Sequence, residues 1–232
     1  MIVRAIAFLA VVGLMVAGVI YLPQFLPTYE PQPIPDPVSV TETEPQPTPE
    51  EEKAAQKSDP AAVEVPSGNR MTIEVSGSVS GTIDIELFPE VAPLHVEQIK
   101  RLAAAGLYNG VAFHRVIPGF MAQTGDVEFG TREAYGQGNA GIGGSTLPDI
   151  PAEFSELPYE RGIVGMARTS DPNTANSQFF IMYERVPSLD NQYTVIGQVL
   201  TGMDVVDQIA KGSGSSGAVT TPDFMETVTI RQ

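Results

Sequence analysis

Phe113-His114-Arg115-Val116-Ile117-Pro118-Gly119-Phe120-Met121-Ala122-Gln123-Thr124-Gly125-Asp126 places one arginine among aromatic, aliphatic and thioether side chains. On composition alone this is a barrel strand carrying an ordinary surface arginine. A second stretch argues against that plainer reading: Gly165-Met166-Ala167-Arg168 is followed by Asn176-Ser177-Gln178-Phe179-Phe180-Ile181. Both stretches set polar side chains directly beside large apolar ones, as a shallow apolar pocket with a few polar groups requires.

Working outward, the chain from Arg70 onward reads as rich in short strands. Residues 71–75 and 82–88 alternate apolar and polar, the period of a half-buried strand. Residues 91–105 carry Val91, Leu94, Ile99 and Leu102 on a helical period, with Gly106 just past the end. Further strands are expected near 112–116, 120–123, 163–167, 178–182, 193–199 and 228–231, and a second short helix over 204–210. Many short strands with turn signals and two helices predict a mainly β domain over 70–232, a closed antiparallel β-barrel.

The N-terminal third is built differently. Residues 5–22 hold no charge, and as a helix they would span roughly 27 Å, close to the ~30 Å hydrocarbon core of a bilayer. Val16-Ala17-Gly18 is a poor cleavage site, and Ile20, Tyr21 and Leu22 continue the apolar run beyond it, so residues 1–22 read as a transmembrane anchor, with a cleaved signal peptide as the alternative. Arg4 precedes the segment and acids follow it, which places the N-terminus inside and the C-terminal domain on the outer, periplasmic side. If the segment is cleaved, the protein is periplasmic or secreted. Residues 23–69 hold eleven of the twenty prolines and few apolar side chains, the composition of a disordered linker.

Several chemistries are excluded. Of the net charge of −15, residues 23–69 carry −7 and residues 1–22 carry +1, leaving −9 on 70–232. A domain this acidic repels phosphate backbones, so nucleic acid is not an expected partner. The chain has no cysteine and only two histidines, His95 and His114, without the spacing of a metal site. Gly136-Gln137-Gly138-Asn139-Ala140-Gly141 spells a dinucleotide pattern, but Gly143, Gly144 and Pro148 follow where a helix would have to begin. It reads instead as a flexible loop. No nucleophile elbow occurs. No cofactor or metal is expected.

At 113–126 and 166–181 the chain resembles the cyclophilin family. The Phe-His-Arg-x-Ile-Pro-Gly-Phe-Met-x-Gln-x-Gly-Asp run and the later Asn-Ser-Gln-Phe-Phe-Ile run are signatures of that family, in its order and spacing, and the resemblance covers 70–232. It implies peptidyl-prolyl cis/trans isomerase activity on proline-containing segments of folding or exported proteins. It also implies a site in which Arg115 and Gln123 are catalytic and Phe120, Met121, Ala167, Phe180, Leu189 and Tyr193 bind substrate. Family members often carry histidine at the position of Tyr193. Many carry tryptophan at the position of Ser188, where it helps hold cyclosporin, so cyclosporin is an expected ligand of reduced affinity.

These residue types suit the reaction. Rotation about an X-Pro bond must cross a barrier of ~18–20 kcal/mol set by amide resonance. In the twisted transition state resonance is lost and the prolyl nitrogen regains a lone pair. A donor aimed at that nitrogen binds the transition state better than the ground state, and arginine is a permanently charged donor with several N–H groups in a fixed fork. A binding module that holds proline segments without turning them over is the alternative; arginine beside Gln123 favours the enzyme.

Overall fold

In the computed structural model, which describes residues 57–232, the alternation expected of the first strands is realised. Met71, Ile73 and Val75 of β1 (Arg70–Ser76) are buried, as are Ile83, Ile85 and Leu87 of β2 (Gly81–Leu87). The antiparallel register pairs Met71 with Ile85 and Ile73 with Ile83, so one face of the hairpin enters the core. The C-terminal strand β9 (Phe224–Arg231) lies along the other edge of β1, and a bulge between Glu74 and Val75 bends the pair.

The remaining strands are β3 (Val111–Ala112), β4 (Arg115–Ile117), β5 (Met121–Thr124), β6 (Ile163–Met166), β7 (Phe179–Met182) and β8 (Val195–Thr201). Together they form one nine-stranded antiparallel sheet in the order β3-β9-β1-β2-β8-β6-β7-β5-β4. The closure expected of a barrel is not made by a strand ladder: among the described residues β3 and β4 are the ends of the order and do not pair with each other. The loop over 212–218 runs beside β4 instead. Val116 N–H donates to Gly217 O at 2.8 Å, and Gly212 N–H donates to Val116 O at 2.9 Å.

Among the described residues two helices accompany the sheet. In α1 (Pro93–Ala104) Val96, Ile99 and Leu102 are fully buried, but Leu94, expected on the inner face, is half exposed. His95 is buried in its place. The helix starts at Pro93, two residues later than the periodicity suggests, because Ala92 takes a non-helical conformation and Pro93 fits the first turn. Ala92 offers no side-chain cap, and the Glu153 carboxylate supplies one from a distant loop, accepting Leu94 N–H at 3.2 Å and His95 N–H at 3.1 Å. The second helix, α2 (Met203–Gln208), stops two residues before the expected end, where Ile209 turns to φ −50°, ψ 136°.

Contact with the domain begins before the expected linker boundary. Ser58 N–H donates to Ala105 O at 3.0 Å, Arg101 Nη1 to Val63 O at 3.2 Å, and Lys100 Nζ to Asn69 Oδ1 at 2.5 Å. Residues 58–69 therefore run against the end of α1. The proposed anchor at 1–22 and the first part of the linker lie outside the described residues. Among the described residues no helix is long and apolar enough to cross a membrane.

Candidate active site

The site begins at the β4–β5 hairpin. Pro118-Gly119 makes its turn, with Gly119 at φ 70° and Phe120 N–H donating to Ile117 O at 3.0 Å. A non-glycine residue is disfavoured at that φ. The turn sets the register in which Arg115 faces Gln123 and Ile117 faces Met121. Side chains of directly opposed residues share a face, and Arg115 Nη1 accordingly donates to Gln123 Oε1 at 3.1 Å. The next strand, β7, sets Phe180 opposite Gln123, on the same face.

Beyond β7, β6 opposes Phe180 with Gly165. A Cβ there would fall within 2.6 Å of Phe180 Cζ, so glycine is needed for the ring to lie across the strand. Tyr159 stacks on Phe180 with centroids 5.8 Å apart and 23° between planes. Tyr193 meets the same ring edge-on at 5.8 Å and 85°. These geometries add to the stability of an aromatic cluster. Burial raises the pKa of the Tyr159 hydroxyl, which stays neutral.

All eight site residues expected from the sequence line one pocket of about 180 Å³: Arg115, Phe120, Met121, Gln123, Ala167, Phe180, Leu189 and Tyr193. Phe120, Met121, Phe180 and Leu189 make it apolar, while Arg115 and Gln123 provide polar groups. Arg115 is itself held. Its Nε donates to Ser216 O at 2.9 Å, and its Nη2 N–H groups have no partner among the described residues. Gln123 is held from behind, its Nε2 donating to Gln178 Oε1 at 2.9 Å. Among the described residues no group of three or more histidine or acidic side chains is placed to hold a metal ion.

Residues 70–232 match the family model described as "Cyclophilin type peptidyl-prolyl cis-trans isomerase/CLD". The chain belongs to the cyclophilin-type peptidyl-prolyl cis-trans isomerase family. A probable peptidyl-prolyl cis-trans isomerase of Brucella suis is 58% identical over 152 residues, which cover 65% of this chain and 78% of that protein. The peptidyl-prolyl cis-trans isomerase-like 3 protein of Gallus gallus is 47% identical over 133 residues, 56% of this chain and 77% of that one. Among solved structures, cyclophilin AquaCyp293 of Hirschia baltica superposes with a TM-score of 0.59 at 28% identity, covering 80% of this chain and 81% of its own. A Cryptosporidium parvum cyclophilin crystallised in the presence of the dipeptide Ala-Pro superposes with a TM-score of 0.59 at 28% identity, covering 70% of this chain and 99% of its own. The activity of the chain is peptidyl-prolyl cis/trans isomerisation.

The cyclophilin pocket also contains a residue that the sequence reading left without a role. Arg168 sits with its guanidinium 4.3 Å above the Tyr193 ring, while Nη2 donates to Gln192 O at 2.8 Å and Nη1 to Thr169 O at 2.8 Å. It fixes the Tyr193 wall through a cation–π contact. Its only signal in the sequence is its place directly after Ala167. Ser188 lies exposed on a short 3-10 turn (Pro187–Leu189), beside the pocket residue Leu189.

The glycine-rich stretch expected to be flexible is clamped on the cyclophilin domain. Asp126, fully buried, accepts N–H groups of Phe129 (2.8 Å), Glu128 (3.1 Å), Gly141 (2.7 Å) and Gly143 (3.1 Å). Asn176 Oδ1 accepts Ser145 N–H at 2.7 Å, and its Nδ2 donates to Leu147 O at 2.9 Å. Gln178 Nε2 donates to Gly141 O at 3.1 Å and Gly143 O at 2.8 Å. The loop is thus bonded to the same glutamine that holds Gln123.

Proposed function

We propose that Arg115 catalyses the isomerisation by donating a hydrogen bond to the prolyl nitrogen of the twisted X-Pro bond, with the pyrrolidine ring held by Phe120, Met121, Phe180 and Leu189. The observation that carries this reading is the state of Arg115. Its Nε and Nη1 are engaged by Ser216 O and Gln123, while Nη2 keeps its donors free among the described residues at the edge of an apolar pocket. A donor fixed in advance need not reorganise when the lone pair appears. Gln123, steadied by Gln178, both orients the guanidinium and offers an amide to the substrate backbone. The Ala-Pro dipeptide used with the Cryptosporidium parvum cyclophilin supports proline-containing segments as the substrate class.

Exchange NMR on a proline tetrapeptide tests the role of Arg115. A hydrogen bond to a charged group is worth about 1.5–3 kcal/mol, so Arg115→Ala should slow turnover at least about tenfold. Arg115→Lys keeps charge without the planar fork and should recover only part of the rate. Near-normal exchange in a folded Arg115→Ala protein refutes the mechanism, and equal loss of binding and turnover points to a holding function.

The clients we propose are proteins on the outer side of the cytoplasmic membrane, reached by a domain tethered through residues 1–22. The uncharged run at 5–22 and the acids that follow it support this reading. Deleting residues 1–26 should release the chain from membranes with turnover intact. A truncated chain that still sediments with membranes overturns it.

A further inference from the structure

We infer that the pocket on the far side of Arg115 is a subsite for an apolar side chain flanking the proline, with Ile142 as its main wall. The inference rests on the proline-binding role of the neighbouring pocket. The subsite has a volume of about 330 Å³ and shares Arg115 and Gln123 with the proline pocket. An extended peptide advances about 3.3 Å per residue, so a chain with its proline in one pocket reaches the other within one or two residues.

Ile142 is the reason to assign an apolar occupant. It is 77% exposed, and nothing in the core accounts for it. A lone exposed aliphatic residue is ordinary on a protein surface. This one is held in place. On either side of it, Gly141 and Gly143 have their N–H groups bonded to Asp126 and their carbonyls bonded to Gln178. A Cβ at Gly143 would collide with the Asp126 carboxylate, so the close approach that makes the clamp demands glycine. Ile142 is therefore presented from a backbone fixed at both ends, and little ordering cost falls on binding.

The walls around it agree. Ala140, Gly141 and Ala218 are small and leave room for an aliphatic side chain, while His114, Arg115, Gln123 and Ser216 complete the lining and leave polar groups for the peptide backbone. On its other flank Ile142 borders a larger pocket of about 550 Å³ whose mixed lining includes the polar side chains of Ser145, Asp149, Thr169 and Asn176. Ile142 is thus the ridge between two recesses, both of which meet the proline pocket at Gln123. The substrate class is an X-Pro segment with an aliphatic residue on the flank that enters the smaller recess.

The test compares peptides within each protein. An all-alanine peptide around one proline is the reference, and leucine or asparagine is placed in turn at each of the two positions on either side. Exchange NMR gives kcat/KM for each. In the wild-type protein one position should favour leucine over asparagine by about tenfold, the scale of burying part of a leucine side chain, and mainly through KM. Ile142→Ser, at an exposed position, should bring that ratio close to one. Ala218→Asp, which puts a carboxylate on the opposite wall, should do the same independently. Equal rates at all four positions, or a leucine preference that survives both variants, overturn the subsite while leaving the isomerase site standing. Failure of the wild-type protein to turn over even the reference peptide overturns the site reading and the subsite with it.

Discussion

The wall of the proline pocket and the loop facing it are held together in opposite ways. The wall is a run of cross-strand neighbours: Arg115 opposes Gln123, Gln123 opposes Phe180, and Phe180 opposes Gly165. Its order comes from backbone ladders, and each side chain is placed by register. The loop over 136–149 contains no strand or helix. Its order comes chiefly from side chains that belong to other segments, above all Asp126, Asn176 and Gln178, with Glu128 and Gln98 each adding a longer bond. A single substitution in the wall should therefore remove a function and leave the fold, whereas a single substitution among the anchors should release a whole segment.

The sharpest way to break that contrast is Asp126→Ala. Asp126 serves four backbone N–H groups from two turns, and alanine leaves all four without their acceptor. Losing a buried charged hydrogen-bond network should cost about 3 kcal/mol, after the exposed part of the loop recovers bonds to water. A urea denaturation curve should show the loss, and amide hydrogen exchange should show it concentrated at Gly141 and Gly143. Turnover should fall as well, because Gln178 loses the carbonyls that fix it behind Gln123. Uniform exchange across the domain, or unchanged stability, would show that the loop does not depend on this carboxylate.

The same contrast decides what could be read from the sequence. The wall was legible because its residues fall in two continuous runs, 113–126 and 165–181, and a strand's period of two fixes which side chains share a face. The roles of all eight site residues come from the family resemblance, and for Leu189 and Tyr193 no strand period links them to those runs. The loop was not legible. Glycine at five of the nine positions 136–144 suggests freedom when read locally, but Gly143 is there because a side chain would strike Asp126. Contacts over fifteen or seventeen residues of separation carry no local pattern. Leu94 failed for a related reason: the helical period allowed it inward, but Glu153 reaches the N-terminus of α1 at that point and His95 takes the buried place. Arg168 was visible as a residue but not as a clamp on Tyr193, because cation–π stacking across a loop has no sequence spacing.

A milder perturbation, acid, distinguishes the same two regions through the two histidines. His95 is buried on α1, and burial lowers its pKa, opposed by its bond to Glu153. His114 is buried beneath the loop, where a Cβ on Gly141 would lie 3.2 Å from His114 Cδ2; burial lowers its pKa too, opposed by Asp126. An unfolded histidine titrates near ~6.5. Below that pH the unfolded chain binds protons that the folded chain refuses, so stability is full above it and falls with pH until the folded values are passed. The slope is at most about 1.4 kcal/mol per pH unit for each histidine. The carboxylates with lowered pKa values, such as Asp84, Asp190 and Asp207, lose their contribution only at lower pH, which leaves the range from 6.5 to 5 to the histidines. Urea midpoints at pH 7.5, 6.5 and 5.5 should therefore drop slightly over the first interval and mainly over the last. His95→Asn keeps an N–H for Glu153 and removes the titration on α1, so the slope that remains belongs to His114. If the loop is the more easily released region, hydrogen exchange at Gly141 and Gly143 should rise at pH 5.5 in that variant before the strands respond. A slope abolished by His95→Asn, with the loop amides still protected, would put the acid-sensitive point at the helix instead.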